Sequence, residues 1–386
     1  MMRCLLLACV WVLASAGPVH AGVLFFGGAE SGAFENLALN GTGQAADQTH
    51  VHTGAYAWKV TNAGNLIALF DATTLYTRFY LYPLANPAAR VVGFYCQANS
   101  ALTQFGICLG LTTAGKLTFT YNLGSDIATG TTALTLNAWN LIEVKAVRHA
   151  SAGGLEAKLN GTVEFTSFST NTTTVSVGRQ EWGGWSAGGF WFDDVLLRDD
   201  AYPGGGQSIM RRGINQTPTY DAWSKTGGVR IDQAWNDTPV GGATATSSTA
   251  NAAQTMAIHP FSTVESGHGT EVILAGATIN ACVTFVYGNP QNGGGSHGWT
   301  VRRRIGGVDT DFTTAAGDNA FYYGQFFTDS PSNLGSYEAG VVHDSGSTAA
   351  VAVDAGMACD YIPGPSAVRH RVNMSRLSIF GPIQAR

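Results

Sequence analysis

The stretch LEAKLNGTVEF, residues 155–165, contains the clearest structural signal in the sequence. Its apolar residues alternate with polar ones on both sides of Asn160-Gly161, as they do in strands that bury one face. Asn and Gly both tolerate the positive φ angles that a two-residue hairpin turn requires. The stretch therefore predicts two antiparallel strands joined by a tight turn.

Short strand-like segments continue on both sides of this hairpin. They are rich in β-branched and aromatic residues and are bounded by Gly, Asn or Pro, which is typical of strands. The clearest are RFYLYPL (78–84), ARVVGFYCQ (89–97), KLTFTYN (116–122), NLIEVKAV (140–147) and GGFWFDDVLL (188–197). Since no long amphipathic helix follows residue 21, the sequence predicts an all-β protein made of two antiparallel β-sandwiches in tandem.

The composition indicates a folded chain with few charges. Charged residues make up 12% of the 386 residues, whereas hydrophobic residues make up 45% and glycines number 49. The formal net charge of −5 disfavours a nucleic-acid partner, because phosphate backbones bind basic surfaces. The basic run Arg302–Arg304 is predicted to be part of a strand whose side chains point to alternating faces.

Residues 1–21 have the layout of a secretory signal peptide. One positive charge at Arg3 precedes an apolar run that ends near Ala16, and small residues lead to a cleavage point before Gly22. The run is too short to cross a bilayer, and no later segment is apolar enough to do so. A lipoprotein cleavage box at residues 6–9 is the alternative, but too short an apolar stretch precedes it. We therefore expect a secreted or cell-surface protein without a membrane span.

A break in the strand pattern divides the rest of the chain. RDDAYPGGGQSIMRRGINQTP (198–218) contains Pro203 and three consecutive glycines, which interrupt regular structure. Strand-like segments such as WTVRRRIGG (299–307) then resume, and each flank has the length of an ordinary domain. We predict a first sandwich at residues 22–202, a linker at 203–213 and a second sandwich at 214–386.

Four cysteines remain after the signal peptide. Cys96 and Cys108 lie on two neighbouring strand candidates, which makes a disulfide between them reasonable and leaves Cys282 to pair with Cys359. An exported chain meets the oxidising conditions that such bonds need. The alternative is four buried free thiols, because buried cysteine behaves as a small apolar residue.

The order of several motifs in the first half resembles that of a known family. These motifs are FFGGAESGAFEN (25–36), THVHTGAYAWKV (49–60), NAWNLIEVKAV (137–147), LEAKLNGTVEF (155–165) and FWFDDVLLRD (190–199). Together they resemble concanavalin A-like, laminin-G-like jelly rolls, and also jelly-roll carbohydrate-binding modules, over residues 23–200. Such jelly rolls host many roles, so the resemblance implies a fold more than a function.

The second half resembles the strand-rich modules of bacteriophage tail and virion surface proteins. The motifs that carry this resemblance are WSKTGG (223–228), NDTP (236–239) and DSP (329–331). The resemblance implies a subunit of a virion tail or capsid surface. A signal peptide departs from that pattern, because virion proteins assemble in the cytoplasm.

Two adjacent carboxylates, Asp193 and Asp194, lie in an otherwise apolar strand. Successive strand residues point to opposite faces, so one Asp is expected to point inward unless the strand frays there. In the resembling modules, the first strand and this last strand often hold a structural calcium, which here would place Glu30 with Asp193 and Asp194. Calcium prefers several oxygen ligands. The alternative is an Asp pair that accepts hydrogen bonds from backbone N–H groups or is solvated.

Aromatic residues are the best candidates for a ligand site. Trp182 and Trp185 lie in the glycine-rich segment EWGGWSAGGFWFDD, and an exposed indole can stack on the apolar face of a sugar. Arg179 and Glu181 could bind hydroxyl groups beside them. The alternative is that these tryptophans pack in the core, because tryptophan is highly buried on average.

Catalytic patterns are weak in this sequence. Glycoside hydrolases need two carboxylates that face each other across the scissile bond, and no Glu-x-Asp-x-Glu array is present. GGSHG around Ser296 matches a nucleophile motif, but a strand rather than a helix follows it. His50 and His52 form an H-x-H pair that lacks a third metal ligand.

We therefore predict a non-catalytic protein that binds a glycan or mediates attachment or assembly. The expected partners are a polysaccharide or cell-surface glycan and further copies of the chain in a larger assembly. A virion structural protein is one alternative, and a polysaccharide-degrading glycosidase or lyase is another.

Overall fold

The computed structural model describes most of the chain, and every regular element in the described part is a β-strand, which confirms the all-β class. The described residues are 22–29, 38–40, 42–61, 65–98, 105–172, 177–183, 189–212, 219–220, 222, 224–226, 244–247, 253–258, 260–262, 272–289, 299–313, 320–323, 337–343 and 350–364. These residues form no helix of the length and apolarity that crossing a membrane requires. The predicted signal peptide lies outside them.

Fifteen strands form the first sandwich, and all of their pairings are antiparallel. They are β1 (Val23–Gly27), β2 (Ala38–Asn40), β3 (Gln44–Asp47), β4 (Ala57–Val60), β5 (Asn65–Ala72), β6 (Thr74–Pro83), β7 (Val91–Ala98), β8 (Phe105–Leu111), β9 (Lys116–Tyr121), β10 (Asp126–Ala133), β11 (Asn140–Val147), β12 (Gly153–Leu159), β13 (Thr162–Thr170), β14 (Val177–Gly183) and β15 (Phe190–Arg198). One sheet, sheet A, has the order β13-β12-β11-β6-β15-β4-β3, with β1 also paired to β15. The facing sheet, sheet B, has the order β10-β9-β8-β7-β14-β5-β2.

Strand alternation places the core of this sandwich. On β6, Leu75, Phe79 and Leu81 are fully buried in the cluster between the two sheets. Tyr80 and Tyr82 alternate with them and are only partly buried, so they lie on the outer face of sheet A. Sheet A therefore has one face in the core and one face available to other elements.

The predicted hairpin is present and helps to close the sandwich. Asn160 and Gly161 have φ angles of 50° and 82°, as the two-residue turn between β12 and β13 requires. Glu164 on β13 accepts hydrogen bonds from the N–H groups of Thr131 and Thr132, at 2.7 and 2.8 Å. Since Thr131 and Thr132 belong to β10, this carboxylate joins the edge of sheet A to the edge of sheet B.

We expect Glu164→Gln to lower the free energy of unfolding by about 1–2 kcal/mol at pH 7, because hydrogen bonds to a charged group are stronger than neutral ones. Burial alone would raise the pKa of Glu164, but the donors of Thr132 and Thr131 lower it below its ordinary value. The stabilisation is therefore full above the unfolded-state pKa and is lost as the pH falls through the folded-state pKa. Urea denaturation at several pH values should show the two proteins converging in acid; a constant difference would contradict this account.

A second pair of sheets follows. Its strands are β16 (Gln207–Arg212), β17 (Ser224–Thr226), β18 (Thr244–Ser247), β19 (Ala253–Ala257), β20 (Thr278–Asn289), β21 (Trp299–Ile305), β22 (Val308–Thr313), β23 (Ala320–Tyr323), β24 (Tyr337–His343) and β25 (Ala350–Ile362). One sheet, sheet C, has the order β17-β18-β25-β20-β23, with β16 also paired to β25, and the other has the order β19-β24-β21-β22. A separate buried apolar cluster fills the space between them.

The predicted linker at 203–213 is only partly a connection. Residues Gln207–Arg212 form β16, which pairs with Gly356–Tyr361 of β25. The sequence did not reveal this strand because Gln207 and Ser208 are polar at its start. Both residues are nevertheless buried, since the strand begins where the two sandwiches meet.

Both disulfides that the sequence suggested are formed. Cys96 pairs with Cys108 between β7 and β8, and Cys282 pairs with Cys359 between β20 and β25. In each case the two cysteines are direct cross-strand neighbours. The alternative of four free thiols is therefore wrong.

The outer face of sheet A packs against sheet C. Phe26 of β1 and Leu196 of β15 share a buried apolar cluster with Ala281, Val283 and Phe285 of β20. Beside this cluster, the buried guanidinium of Arg78 on β6 forms an ion pair with Asp360 on β25. The two sandwiches are therefore joined by a buried apolar and ionic contact and not by the chain connection alone.

Candidate functional site

A β-bulge explains the two adjacent carboxylates of β15. Asp193 pairs with Tyr80 and Leu196 pairs with Arg78, so two residues of β15 lie opposite one residue of β6. Asp194 takes a left-handed conformation with φ of 50°. A bulge breaks the strict alternation of faces. Neither carboxylate therefore points into the core of the first sandwich, which corrects the expectation from alternation.

Both carboxylates bind the segment between β3 and β4. Asp193 accepts hydrogen bonds from the N–H groups of His52, Thr53 and Asp194, at 2.8, 3.2 and 2.8 Å. Asp194 accepts from the Thr53 hydroxyl at 2.6 Å and from the backbone N–H of Ser208, and it contacts Nδ1 of His52 at 2.5 Å. The pair thus holds the His52 segment and the start of β16 against β15.

The two carboxyl groups have opposite pKa shifts. Burial, followed by the charge of Asp194, raises the pKa of Asp193 well above its ordinary value. Burial alone would raise the pKa of Asp194 as well, but the hydrogen bond and charge of His52 and the charge of Arg78 lower it. Two adjacent buried carboxylates repel each other, so Asp193 is the one that holds a proton more readily.

The oxygens of the Asp pair already have partners within the fold. All four of its carboxylate oxygens already accept a hydrogen bond or contact a donor nitrogen, whereas calcium needs several oxygens directed at one point. The described residues include no group of three or more His, Cys, Asp and Glu side chains that could hold a metal ion. Glu30, the third predicted ligand, lies outside the described residues, so the calcium site stays a prediction.

The predicted ligand residues of β14 are buried where the structure describes them. The indole of Trp182 lies in the core and is 1% exposed, so it presents no face to a sugar ring. Arg179 and Glu181 point to the other face of sheet B, where they form an ion pair with Nε and Oε1 2.5 Å apart. Burial raises the pKa of Glu181, although Arg179 opposes this. Trp185 lies outside the described residues.

A different set of aromatic residues meets at the outer face of sheet A, and we call it the aromatic platform: His50, Tyr82, Trp139 and Trp191. The His50 ring stacks on Tyr82, with centroids 4.3 Å apart, and lies edge-on to Trp191 at 4.5 Å. Trp139 lies edge-on to Tyr82 at 5.3 Å. Trp191 is buried beneath, whereas the other three rings are partly exposed.

The loop that carries Trp139 is held in place from below. Asn140 is fully buried. Its side-chain oxygen accepts a hydrogen bond from the N–H of Thr135, and its amide donates to the carbonyls of Thr135 and Ala138, each at 2.9 Å. These bonds fix the 134–139 connection between β10 and β11. Trp139 is therefore preorganised, which reduces the entropy cost of binding.

Polar groups border the aromatic platform. The Trp191 indole N–H donates to Asp47 at 3.0 Å, and the Lys59 ammonium lies 4.9 Å from the centroid of the Trp191 ring. The same ammonium is 3.7 Å from the Asp47 carboxylate. Burial raises the pKa of Asp47, but hydrogen bonds from Thr49 and Trp191 outweigh this and lower it. The platform thus has an ionised carboxylate and an ammonium at one side.

The sequence contained a partial signal for this platform. The alternation in RFYLYPL places Tyr80 and Tyr82 on one face, opposite Phe79 and Leu81. The H-x-H pair of His50 and His52 lies in a bent connection rather than on a strand. His50 stacks on Tyr82, and His52 stacks on Tyr80 with centroids 3.6 Å apart.

Each described glutamate of the first sandwich has a hydrogen-bond or ion-pair partner within the fold. Glu143 accepts from the N–H of Gly204, and Glu156 accepts from Thr166 and Tyr202. Glu164 and Glu181 have the partners given above. Each of these carboxylates therefore has a partner within the fold.

No family model and no curated protein sequence matches this chain. Among solved structures, a sialidase matches with a TM-score of 0.35 and 9% identity, over 48% of this chain and 19% of the sialidase. The carbohydrate-binding module CBM66 from Bacillus subtilis matches with a TM-score of 0.31 and 11% identity, over 42% of this chain and 96% of the module. Domain 4 of AbnA, a GH43 extracellular arabinanase from Geobacillus stearothermophilus, in complex with arabinotriose, matches with a TM-score of 0.30 and 13% identity, over 48% and 85%.

These likenesses are too distant to transfer a function to this chain. The match to the sialidase spans less than a fifth of that protein. The β-sandwich architecture is instead shown by the strand pairing described above. The predictions of a virion role and of self-association stay predictions.

Proposed function

We propose that this protein binds a glycan without cleaving it, and that the aromatic platform is the binding site. The observation that carries the proposal is the grouping of three partly exposed rings, His50, Tyr82 and Trp139, at the outer face of sheet A. The flat apolar side of a pyranose can stack on such rings, and the site loses little entropy because its loop is already fixed.

The border of the platform supports a polyhydroxylated ligand. Asp47 can accept a hydrogen bond from a sugar hydroxyl, and Lys59 can donate one. Both groups are partly exposed, so they remain in reach of a ligand above Trp191. Sugar-binding sites need this combination of an apolar surface and a few placed polar groups.

A non-catalytic role is supported by the described carboxylates of the first sandwich, which are bonded or buried within the fold. The described glutamates of the first sandwich are bonded within the fold, and Asp193 and Asp194 are buried against the His52 segment. A secreted or surface-displayed glycan-binding protein also agrees with the two disulfides, which persist in oxidising compartments. We propose attachment to a polysaccharide or cell-surface glycan as its role.

We expect Trp139→Ala to weaken glycan binding at least tenfold, because an aromatic residue at the centre of a site contributes about 2 kcal/mol or more and about 1.4 kcal/mol is a tenfold change in affinity. The same loss is expected for Tyr82→Ala. A glycan array on the protein from Gly22 onward would identify the ligand, and isothermal titration calorimetry would then measure the affinity of each variant.

Tyr76→Ala is the matched control, because Tyr76 lies on the outer face of the same strand, away from the platform, where it contacts Tyr202. This variant should retain the affinity of the original protein. Failure of the unmodified protein to bind any glycan, or unchanged affinity in folded Trp139→Ala, would contradict the proposal.

A further inference from the structure

Arg148 lies at one end of the first sandwich, directly after β11. The inward-facing residues of β11 are Ile142, Val144 and Ala146, and Arg148 continues this alternation. Its Nη2 donates to the backbone carbonyl of Gln97 on the opposite sheet, at 3.2 Å. The side chain is 4% exposed. A guanidinium therefore extends between the two sheets.

This buried cation has no anionic partner among the described residues. Its Nε atom also has no hydrogen-bond acceptor there. Burial lowers the pKa of Arg148, because removing the charge from water disfavours the charged form. The other strongly buried arginines of this sandwich, Arg78 and Arg179, each have a carboxylate partner. A buried charge without a partner is costly, so an anion that binds beside Arg148 would gain a strongly favourable partner.

Two further buried groups lie on the inner face of sheet B, the sheet that faces Arg148. Gln97 and Gln180 are direct cross-strand neighbours on β7 and β14, and both are fully buried. The Gln180 amide donates to the carbonyls of Cys96 and Glu181, each at 3.0 Å. The side-chain oxygens of both glutamines lack a hydrogen-bond partner among the described residues. This end of the sandwich thus offers one cationic donor and two neutral acceptors.

The backbone beneath the guanidinium is shaped to admit it. A Cβ atom on Gly106 of β8 would lie 2.3 Å from Nη2 of Arg148. Only a glycine leaves space for the guanidinium at this position. Any larger residue at 106 would displace it.

We propose that this end of the first sandwich binds the carboxylate of a hydroxy acid, with Arg148 bound to the carboxylate and Gln97 and Gln180 accepting hydrogen bonds from hydroxyl groups. A planar guanidinium matches a carboxylate by two parallel hydrogen bonds. Uronic acids, which carry a carboxylate beside several hydroxyls, have this chemistry, and so do small free hydroxy acids. The site is separate from the aromatic platform and does not depend on the proposed function.

The test uses the protein from Gly22 onward and the change in Tm caused by added ligand at constant ionic strength. The probes are sodium glucuronate, galacturonate and lactate, with glucose and sodium chloride as references. At about ten times the dissociation constant, a bound ligand should raise Tm by about 2–5 °C. A response to the uronates alone identifies an acidic sugar as the ligand, and an equal response to lactate identifies a small hydroxy acid.

Two variants test whether the ligand-induced shift in Tm arises at Arg148. Arg148→Met removes the cation, and Gly106→Ala keeps the cation but displaces it, so both should abolish the shift. Arg90→Met is the matched control, because Arg90 is a half-exposed arginine paired with Asp126, and it should retain the shift. Absence of any carboxylate response in the unmodified protein, or a response that persists in both Arg148→Met and Gly106→Ala, would overturn the proposal and leave bound water as the partner of these groups.

Discussion

Arg78→Ala is expected to lower the free energy of unfolding by about 3–5 kcal/mol, because it leaves a buried carboxylate without its partner. Arg78 is fully buried between the two sandwiches. Its guanidinium binds the carboxylate of Asp360 on β25, and Nε and Nη2 donate to the backbone carbonyl of Asp194, at 3.1 and 3.0 Å. Removing it therefore deprives the Asp360 carboxylate and the Asp194 carbonyl of the guanidinium donor in a buried contact.

The electrostatics of this contact support a large loss of stability in Arg78→Ala. Burial alone would lower the pKa of Arg78, but the charge of Asp360 raises it above its ordinary value. Asp360 keeps one other side-chain donor, the Asn280 amide, at 2.6 Å. A neutral amide cannot replace the charge of a guanidinium, so the Asp360 carboxylate stays poorly compensated in the variant.

Urea denaturation followed by tryptophan fluorescence would measure this effect. Arg90→Ala is the control, because the pair of Arg90 and Asp126 is half exposed and such pairs contribute about 0–1 kcal/mol. The double variant Arg78→Met and Asp360→Asn removes both charges and should recover part of the loss. If Arg78→Ala cost no more than Arg90→Ala, the ion pair would not stabilise the contact between the sandwiches.

The strands could be predicted from the sequence, but their arrangement could not. Alternation and turn chemistry are local, and they located the β12–β13 hairpin and the strands β6, β7, β9, β11 and β15. The place of β15 between β6 and β4 depends on pairing across more than 100 residues. β16 was missed because its polar first residues are buried by contacts with the other sandwich, which no local pattern reveals.

The bulge at Asp194 shows why the site was only partly predictable. A left-handed φ angle at a non-glycine residue is uncommon, and it is maintained here by the hydrogen bonds from the His52 segment and Ser208. Two adjacent Asp residues indicated an unusual environment, but their partners lie 141 and 14 residues away. The motif resemblance suggested a metal, whereas the described partners are N–H and O–H donors and a histidine.

Trp182 and Trp139 illustrate the same limit for aromatic residues. Both lie near small or turn-forming residues, so composition alone does not separate a core ring from a surface ring. The register of β14 directs Trp182 to the inner face of sheet B beside Tyr95. Trp139 is placed on the outer face of sheet A by a loop that Asn140 fixes. Which ring can meet a ligand is therefore decided by tertiary structure.

Removing the Cys282–Cys359 disulfide by a double change to alanine is expected to cost about 4 kcal/mol. The bond closes a loop of 77 residues, and a longer loop gains more when the unfolded chain is constrained. It also joins β20 and β25, the two longest strands of sheet C. Both cysteines are fully buried in the core of the second sandwich, so their replacement by alanine also removes packing contacts.

The Cys96–Cys108 disulfide provides the internal comparison. It closes a loop of only 12 residues, for which the same argument gives about 3 kcal/mol. Urea denaturation should therefore show a lower midpoint for the Cys282 and Cys359 variant than for the Cys96 and Cys108 variant.

Loss of the Cys282–Cys359 disulfide should also affect the contact between the sandwiches, because sheet C packs on the outer face of sheet A. We expect this variant to weaken the contact that Arg78 stabilises. Arg78→Ala should therefore lower the free energy of unfolding by less in this variant than in the intact protein. An additive result would show that β25 holds Asp360 in place without help from the disulfide.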